Sequence, residues 1–476
     1  MNGVLRNWYL LAILPMFFVA SLPSGGTTVA NGEPLQQARE YTASLLGDDP
    51  APLWPLLGED LRDVLGDVEG LRAVSRQLRD EFGSEQEILE ERVSPQGGGF
   101  HYLRLARHER GDAPLAIELF VSDVGVIETL LASARSVLTL APPLESPPLE
   151  PGRLPADDWI EALLQRAAMD MSLPSIVVGI RDADGRRFIA VGDTGDGRAP
   201  DEHTVFEVGS ITKGLTGLLL ARLIADGDVR ADQPIGGLFP EDIPLSPRLA
   251  AITLEELATH HSGLSRLGTG PEMSARLSTD NPYAGSSVAE IFRDTAAVPD
   301  KAVEARHGYF AYSNLGMALL GQLLARATAT DYPTLLDERV MTPLALGPLL
   351  LDPNQVRGRR AEGSRNGQPA ASWHMDAYAP AGGWQASAAQ LLELGERLLT
   401  DEPAWVADAL RPRRSGGGEG IGLAWLHGSA GGRRIIWHNG GTGGFRSHLV
   451  SIPEERLVLV VLSNGVSELA PIVDAI

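Results

Sequence analysis

The sequence predicts a globular protein of the α+β class in two domains, and three observations predict it. The chain has 476 residues, too many for one ordinary core. Apolar residues make up 43% and glycine is abundant, which fits a folded chain of mixed class and excludes a disordered one. Between about Glu33 and Leu140, helical periodicity comes first and short strands follow, the order of an α+β unit.

The N-terminus reads as an export signal. Arg6 precedes an apolar stretch from Trp8 to Leu22, and small and polar residues from Ser24 to Ala30 follow. Residues 1–30 are therefore expected to form a cleaved signal peptide, with exits after Ala30 or near Ser21. The run is shorter than the roughly 20 residues of a membrane span. An uncleaved anchor is the alternative reading. A periplasmic or secreted protein with no stable membrane span after cleavage follows from the first.

Residues 33–140 predict a small α+β domain. Leu35–Leu46 and Val68–Phe82 have helical spacing. Phe100–Arg107, Leu115–Val121 and Val124–Ala132 read as strands, with Gly111-Asp112 as a hairpin turn. A long helix on such a sheet is similar to the cystatin-like or nuclear-transport-factor-like pattern. His101, His108 and Glu109 lie close in sequence but read as solvated strand positions, so no metal site is expected there.

Residues 141–155 hold six prolines, which exclude a helix or a central strand and predict an extended spacer. The second domain, 156–476, opens with a helix over Asp157–Met171. Ser175–Arg181 and Arg187–Val191 form a hairpin around Asp182-Ala-Asp-Gly185. That turn lacks the later ligands of a calcium loop.

The chemistry is carried by three separated motifs. The first is Ser210-x-x-Lys213, just before the apolar run Gly214–Ile224, which reads as a buried helix. Residues three apart on a helix share a face, so the lysine stem reaches the serine hydroxyl. A lysine desolvated against an apolar helix can serve as base for that hydroxyl. The helix start favours the developing oxyanion. The second is Tyr312-Ser-Asn314, leading into an apolar helix over Leu315–Ala327. The third is His438-Asn-Gly-Gly441-Thr-Gly-Gly444, after the apolar strand Arg434–Trp437 and before strands Phe445–Ile452 and Arg456–Ser463. Thr253–Thr259 reads as a short helix with Gly263 as its cap. His260-His261 is a poor chelating pair, because adjacent residues point apart. Ser265–Arg306 reads as a polar, loop-rich insertion that walls a pocket.

With these motifs in order, the chain from about Leu154 onward resembles the penicillin-recognising serine hydrolases of the class C β-lactamase type. That group includes D-alanyl-D-alanine carboxypeptidases, D-aminopeptidases and esterases. Thr204-Val-Phe206, Leu257–Leu264 and Ala381–Ser387 look like the family as well. The resemblance implies a β-lactamase/transpeptidase-like domain: an antiparallel sheet flanked by helices, plus a helical region between the first and third motifs. It implies that Ser210 is acylated while Lys213 and Tyr312 share the proton transfer. Asn314 would bond Lys213 or a substrate amide, and the N–H groups of Ser210 and Gly441 would form the oxyanion hole. His438, Gly440 and Gly441 would line the substrate. No metal or organic cofactor is implied.

One departure matters. The family's β-lactamases usually carry Lys-Thr-Gly at the third motif, and here it reads His438-Asn-Gly. Histidine is mostly neutral near pH 7, so the fixed charge for a substrate carboxylate is weakened. Arg446 could replace that charge or could be a surface residue. The expected function is therefore an exported serine hydrolase of small ester, amide or D-amino-acid peptide substrates, peptidoglycan fragments among them. A true β-lactamase and a non-catalytic binding module are the alternatives. The net charge of −22 argues against a nucleic-acid partner, and the absence of cysteine excludes thiolate chemistry and disulfides.

Overall fold

A computed structural model describes residues 33–134 and 152–476, apart from 59–60, 63–64, 97–98, 111–113, 278, 357–358, 366, 401, 417–418 and 431. The expected signal peptide, the Gly111-Asp112 turn and the spacer up to residue 151 lie outside the described residues. The described residues fall into two compact units, 33–134 and 152–476.

In the first unit, Leu35, Ala38, Thr42 and Leu45 line the buried face of α1 (Glu33–Leu46). Asp67 caps α2 (Val68–Phe82) by accepting from the Gly70 N–H at 3.0 Å. Four antiparallel strands follow in simple order: β1 (Glu85–Gln96), β2 (Gly99–His108), β3 (Leu115–Ser122) and β4 (Ile127–Ala134). The helices and the sheet face bearing Tyr102, Ile117, Leu119 and Val121 share one apolar core.

The sequence reading missed β1, whose glutamates hide a strand pattern. Their partners come from elsewhere. Arg104 on β2 binds Glu85 and Glu91 at 2.6 Å each, and Tyr102 donates to Glu91 at 2.8 Å. The histidines also differ from expectation. His101 is mostly buried and faces Glu118 at 3.4 Å, while His108 packs edge-on against Phe82.

The second unit is built on a seven-stranded antiparallel sheet. Its strands are β5 (Ser175–Asp182), β6 (Gly185–Gly192), β7 (Gly420–Ile421), β8 (Leu426–Ala430), β9 (Arg433–Gly441), β10 (Arg446–Ile452) and β11 (Leu457–Ser463). Their order across the sheet is β7-β8-β9-β10-β11-β5-β6. In the turn between β5 and β6, the Asp182 carboxylate accepts from the Asp184 N–H at 2.9 Å and from Arg187 at 2.9 Å. Those bonds make it a brace for the turn.

The helix Thr212–Asp226 is apolar on every side, so it must be buried on every side. Leu215, Leu218, Leu219, Leu220 and Leu223 are all fully buried. Gly214 and Gly217 let it approach its neighbours. A Cβ on Gly217 would lie 1.9 Å from the Leu423 carbonyl oxygen, and one on Gly214 would lie 2.4 Å from the Trp425 ring. The helix Asn314–Thr328 packs beside it, with Ser313 as N-cap accepting from the Gly316 N–H at 2.8 Å.

Two local expectations change. Gly263 does not cap the short helix Leu254–Ala258. That helix carries a capping box of Thr253 and Glu256, and the chain turns through a left-handed His260 at φ +60°. The insertion 265–306 is less irregular than its composition suggests. It holds the short helices Pro271–Arg276, Val288–Ala296 and Asp300–Arg306. Among the described residues, no helix is long and apolar enough to cross a membrane.

Candidate active site

Ser210 lies in a single 3-10 turn, Gly209–Ile211, that runs directly into the helix Thr212–Asp226. The turn is seated against the end of β9, and two glycines permit the approach. A Cβ on Gly440 would lie 2.0 Å from the Val208 carbonyl oxygen and 2.8 Å from the Ser210 nitrogen. Gly209 adopts φ +52°, and a Cβ there would lie 2.8 Å from the Gly441 nitrogen. The Ser447 hydroxyl fastens the turn by donating to the Val208 carbonyl at 2.8 Å. The backbone of Gly441 is thus brought beside the turn that holds Ser210.

Lys213 is fully buried, and its Nζ sits 2.9 Å from Ser210 Oγ and 2.5 Å from the Ala381 carbonyl oxygen. Among the described residues, no carboxylate compensates it. Burial, helped by the Arg266 charge, drives its proton affinity far below the ordinary lysine range. A neutral amine donates to Ala381 and leaves a lone pair for the Ser210 proton. Tyr312 is also buried, with Lys213 Nζ 4.9 Å from its ring centre. Burial pushes its phenol up to about 12, although hydrogen bonding to Ser210 and the Arg266 charge pull the other way. The pair therefore rests as neutral amine and neutral phenol.

Of the two partners that the resemblance implied for Asn314, Lys213 is not the one it bonds. Its Nδ2 donates to the Tyr283 hydroxyl at 2.8 Å, and its buried Oδ1 meets no donor. It does not bond Lys213, because the first turn of its helix aims the amide at Tyr283. His438 is buried on β9, and its Nδ1 donates to the Asn439 carbonyl at 2.6 Å. Nε2 is therefore the acceptor. Burial, then the neighbouring Lys213, pulls its proton affinity down to about 3. A neutral imidazole cannot act as a fixed cation for a carboxylate. Nor does Arg446 replace it. Its Nε donates to Glu468 at 3.1 Å and its Nη1 to the Phe445 and Thr442 carbonyls at 3.0 and 3.2 Å.

The structure adds residues that sequence reasoning missed. His260 is fully buried and tilts over Tyr312 with ring centres 4.5 Å apart. Its Nδ1 accepts from the Ser313 N–H at 3.2 Å, which puts the ring proton on Nε2. Burial lowers its proton affinity well below the ordinary histidine range, and the Arg266 charge acts in the same direction. His261 instead bonds the Thr259 and Ser415 carbonyls at 2.6 and 3.0 Å and braces the loop. The dipeptide signalled a histidine here. Which of the two faces the site depends on the positive φ at His260, which the sequence does not announce. Tyr283, from the insertion, and Arg266, whose guanidinium lies 5.2 Å from the Tyr312 ring centre, complete the wall. Among the described residues, no cluster of His, Asp and Glu has the makings of a metal site.

A serine at a helix start, a buried uncharged lysine against it and a tyrosine over both can transfer an acyl group through the serine. That is the class of an active-site-serine hydrolase. Residues 156–474 match the Beta-lactamase family, more than half of the chain, and the chain belongs to that family of serine hydrolases. A human beta-lactamase-like protein is 30% identical over 290 residues, covering 56% of this chain and 55% of the relative, so the chain spans about half of that relative's length. The D-alanyl-D-alanine-carboxypeptidase/endopeptidase AmpH of Escherichia coli K12 is 22% identical over 323 residues, 63% of this chain and 82% of AmpH. A class C beta-lactamase from Rhodobacter sphaeroides superposes with a TM-score of 0.58 at 22% identity, over 66% of this chain and 96% of that one. This last likeness bears on the fold alone.

Proposed function

We propose that this chain hydrolyses small ester, amide or D-amino-acid peptide substrates through an acyl-enzyme on Ser210. The observation that carries the reading is the 2.9 Å contact between Ser210 and a lysine that burial holds uncharged. Ser210 Oγ attacks the substrate carbonyl as Lys213 Nζ takes its proton. The N–H groups of Ser210 and Gly441 receive the oxyanion. Tyr312, still protonated, passes a proton to the departing amine or alkoxide, and the Lys213 proton then restores the phenol. Water enters where the leaving group was, and the same groups run the steps in reverse. His438 lines the substrate site beside Gly440 and Gly441.

Two similarities support the substrate range. AmpH is a carboxypeptidase and endopeptidase, and Esterase EstB of Burkholderia gladioli is 28% identical over 178 residues. The uncharged His438 speaks against tuning for β-lactams. Export by an N-terminal signal belongs to the same reading. Turnover of a p-nitrophenyl ester, a D-alanyl peptide and a penicillin, each with wild type and Ser210→Ala, tests it. Ester or peptide turnover that vanishes in the variant is expected. Penicillin as the fastest substrate would favour a β-lactamase, and turnover surviving Ser210→Ala would sink the acyl-enzyme.

A further inference from the structure

We propose that Arg266 recognises a carboxylate on the substrate that Ser210 attacks, so that the anion is held from the loop after Leu264 instead of from the third motif. The proposal rests on the acyl-enzyme reading and adds a substrate class to it.

Lys213 is buried and committed to Ser210 and Ala381. His438 donates its ring N–H to Asn439. Arg446 is held by Glu468 and two carbonyls. Arg360 is paired with the buried Glu207, and Arg365 donates its Nε to the Gly443 carbonyl. Arg266 differs from all of these. It is half-buried, its guanidinium lies over the Tyr312 ring, and its Nη1 is buried without any acceptor. No carboxylate among the described residues pairs with it, in a chain with 62 acidic residues against 40 basic ones.

The backbone holds this arginine in place. The Arg266 carbonyl accepts from the Asn314 and Leu315 N–H groups at 2.9 and 3.1 Å, which ties it to the start of the helix carrying the second motif. Its charge reaches the reacting groups, since it lowers the proton affinity of Lys213, His260, Tyr283 and Tyr312 alike. A planar guanidinium with free N–H groups suits a carboxylate, which it can bind through two parallel hydrogen bonds.

The test uses phenyl esters with a carboxylate on the leaving phenol or on the acyl chain, each beside its uncharged carboxamide counterpart. Wild type should prefer the anionic member of at least one pair. In Arg266→Met the ratio of kcat/KM for that pair should fall about 30-fold or more, chiefly through KM, and Arg266→Lys should recover part of it. Benzoate should inhibit wild type better than benzamide, a readout that needs no variant. Fluorophosphonate labelling of Ser210 in each variant reports a folded site. No anionic preference in a wild type that labels, or an equal loss on charged and uncharged esters in Arg266→Met, overturns the proposal. Failure of wild type to label at all would instead sink the acyl-enzyme reading beneath it.

Discussion

Lys213 and Tyr312 have the right atoms for a proton relay, and their burial decides which way the proton starts. An ammonium placed where no carboxylate answers it loses several kcal/mol of solvation, so the amine gives up its proton. Lys213→Arg keeps the size and hydrogen bonding of a cation but cannot deprotonate near neutral pH. It should lower kcat/KM by about 1,000-fold and, because a permanent cation is then buried without a carboxylate beside it, lower the melting temperature as well. The pH profile has a definite sign. The active form carries neutral Lys213, so kcat/KM rises as pH rises through the lowered lysine pKa and then stays level, because Tyr312 keeps its proton until about pH 12. A bell with an alkaline fall near the ordinary tyrosine value would contradict this assignment. That Ser210, Lys213 and Tyr312 would meet was legible in the sequence, because the chemistry proposed for them demands particular side chains at fixed spacing. His260, Tyr283 and Arg266 were not, since nothing local distinguishes a site histidine from a bracing one, or an unpaired arginine from the paired majority.

Elements position these groups through close backbone approach. The turn holding Ser210 touches β9 only because Gly440 has no side chain. Gly440→Ala would force the Val208 carbonyl away from a Cβ 2.0 Å distant, and the Ser210 turn would move with it. Displacements near 1 Å cost about 100-fold in rate, so kcat/KM should fall by at least that much in a protein that still folds cooperatively. Gly428→Ala on β8 is the matched control. Its nearest neighbour is the flexible Ile435 side chain at 3.2 Å, which can yield, and activity should stay near wild type. Helices at this scale were legible because Val68–Phe82 and Asn314–Thr328 repeat apolar residues with a helical period. β1 was not, because its glutamates answer arginines on β2 and α1, and such pairing is invisible along one strand. The short helices of the insertion 265–306 escaped for a similar reason: each is held by tertiary packing more than by its own pattern.

At the scale of the whole molecule, the second unit encloses several titratable groups in their neutral form. Burial holds His448 at about 4 and His438 at about 3. An unfolded chain would bind protons at these histidines from about pH 6.5 downward, and the folded chain does not. The unfolded state therefore binds more protons in that window, and stability falls as pH drops from about 6.5 toward 4. Each histidine contributes at most about 1.4 kcal/mol per pH unit. Denaturant melts between pH 7 and 5 should show this slope, and His448→Asn should make it shallower. A slope that the variant leaves unchanged would place the acid sensitivity elsewhere. The family and the α+β class could be read at this scale from three ordered motifs, while the binding of the substrate's charge could not, because it depends on which cations remain unpaired once the chain has folded.

The central claim is that Ser210 carries the acyl group. Intact-mass analysis after exposure to a fluorophosphonate, with peptide mapping, tests it most directly. A single adduct on the peptide containing Ser210, absent from Ser210→Ala and strongly slowed in Lys213→Arg, is the predicted result. A folded wild-type protein that takes no adduct, or one that takes it on another residue, would contradict the account.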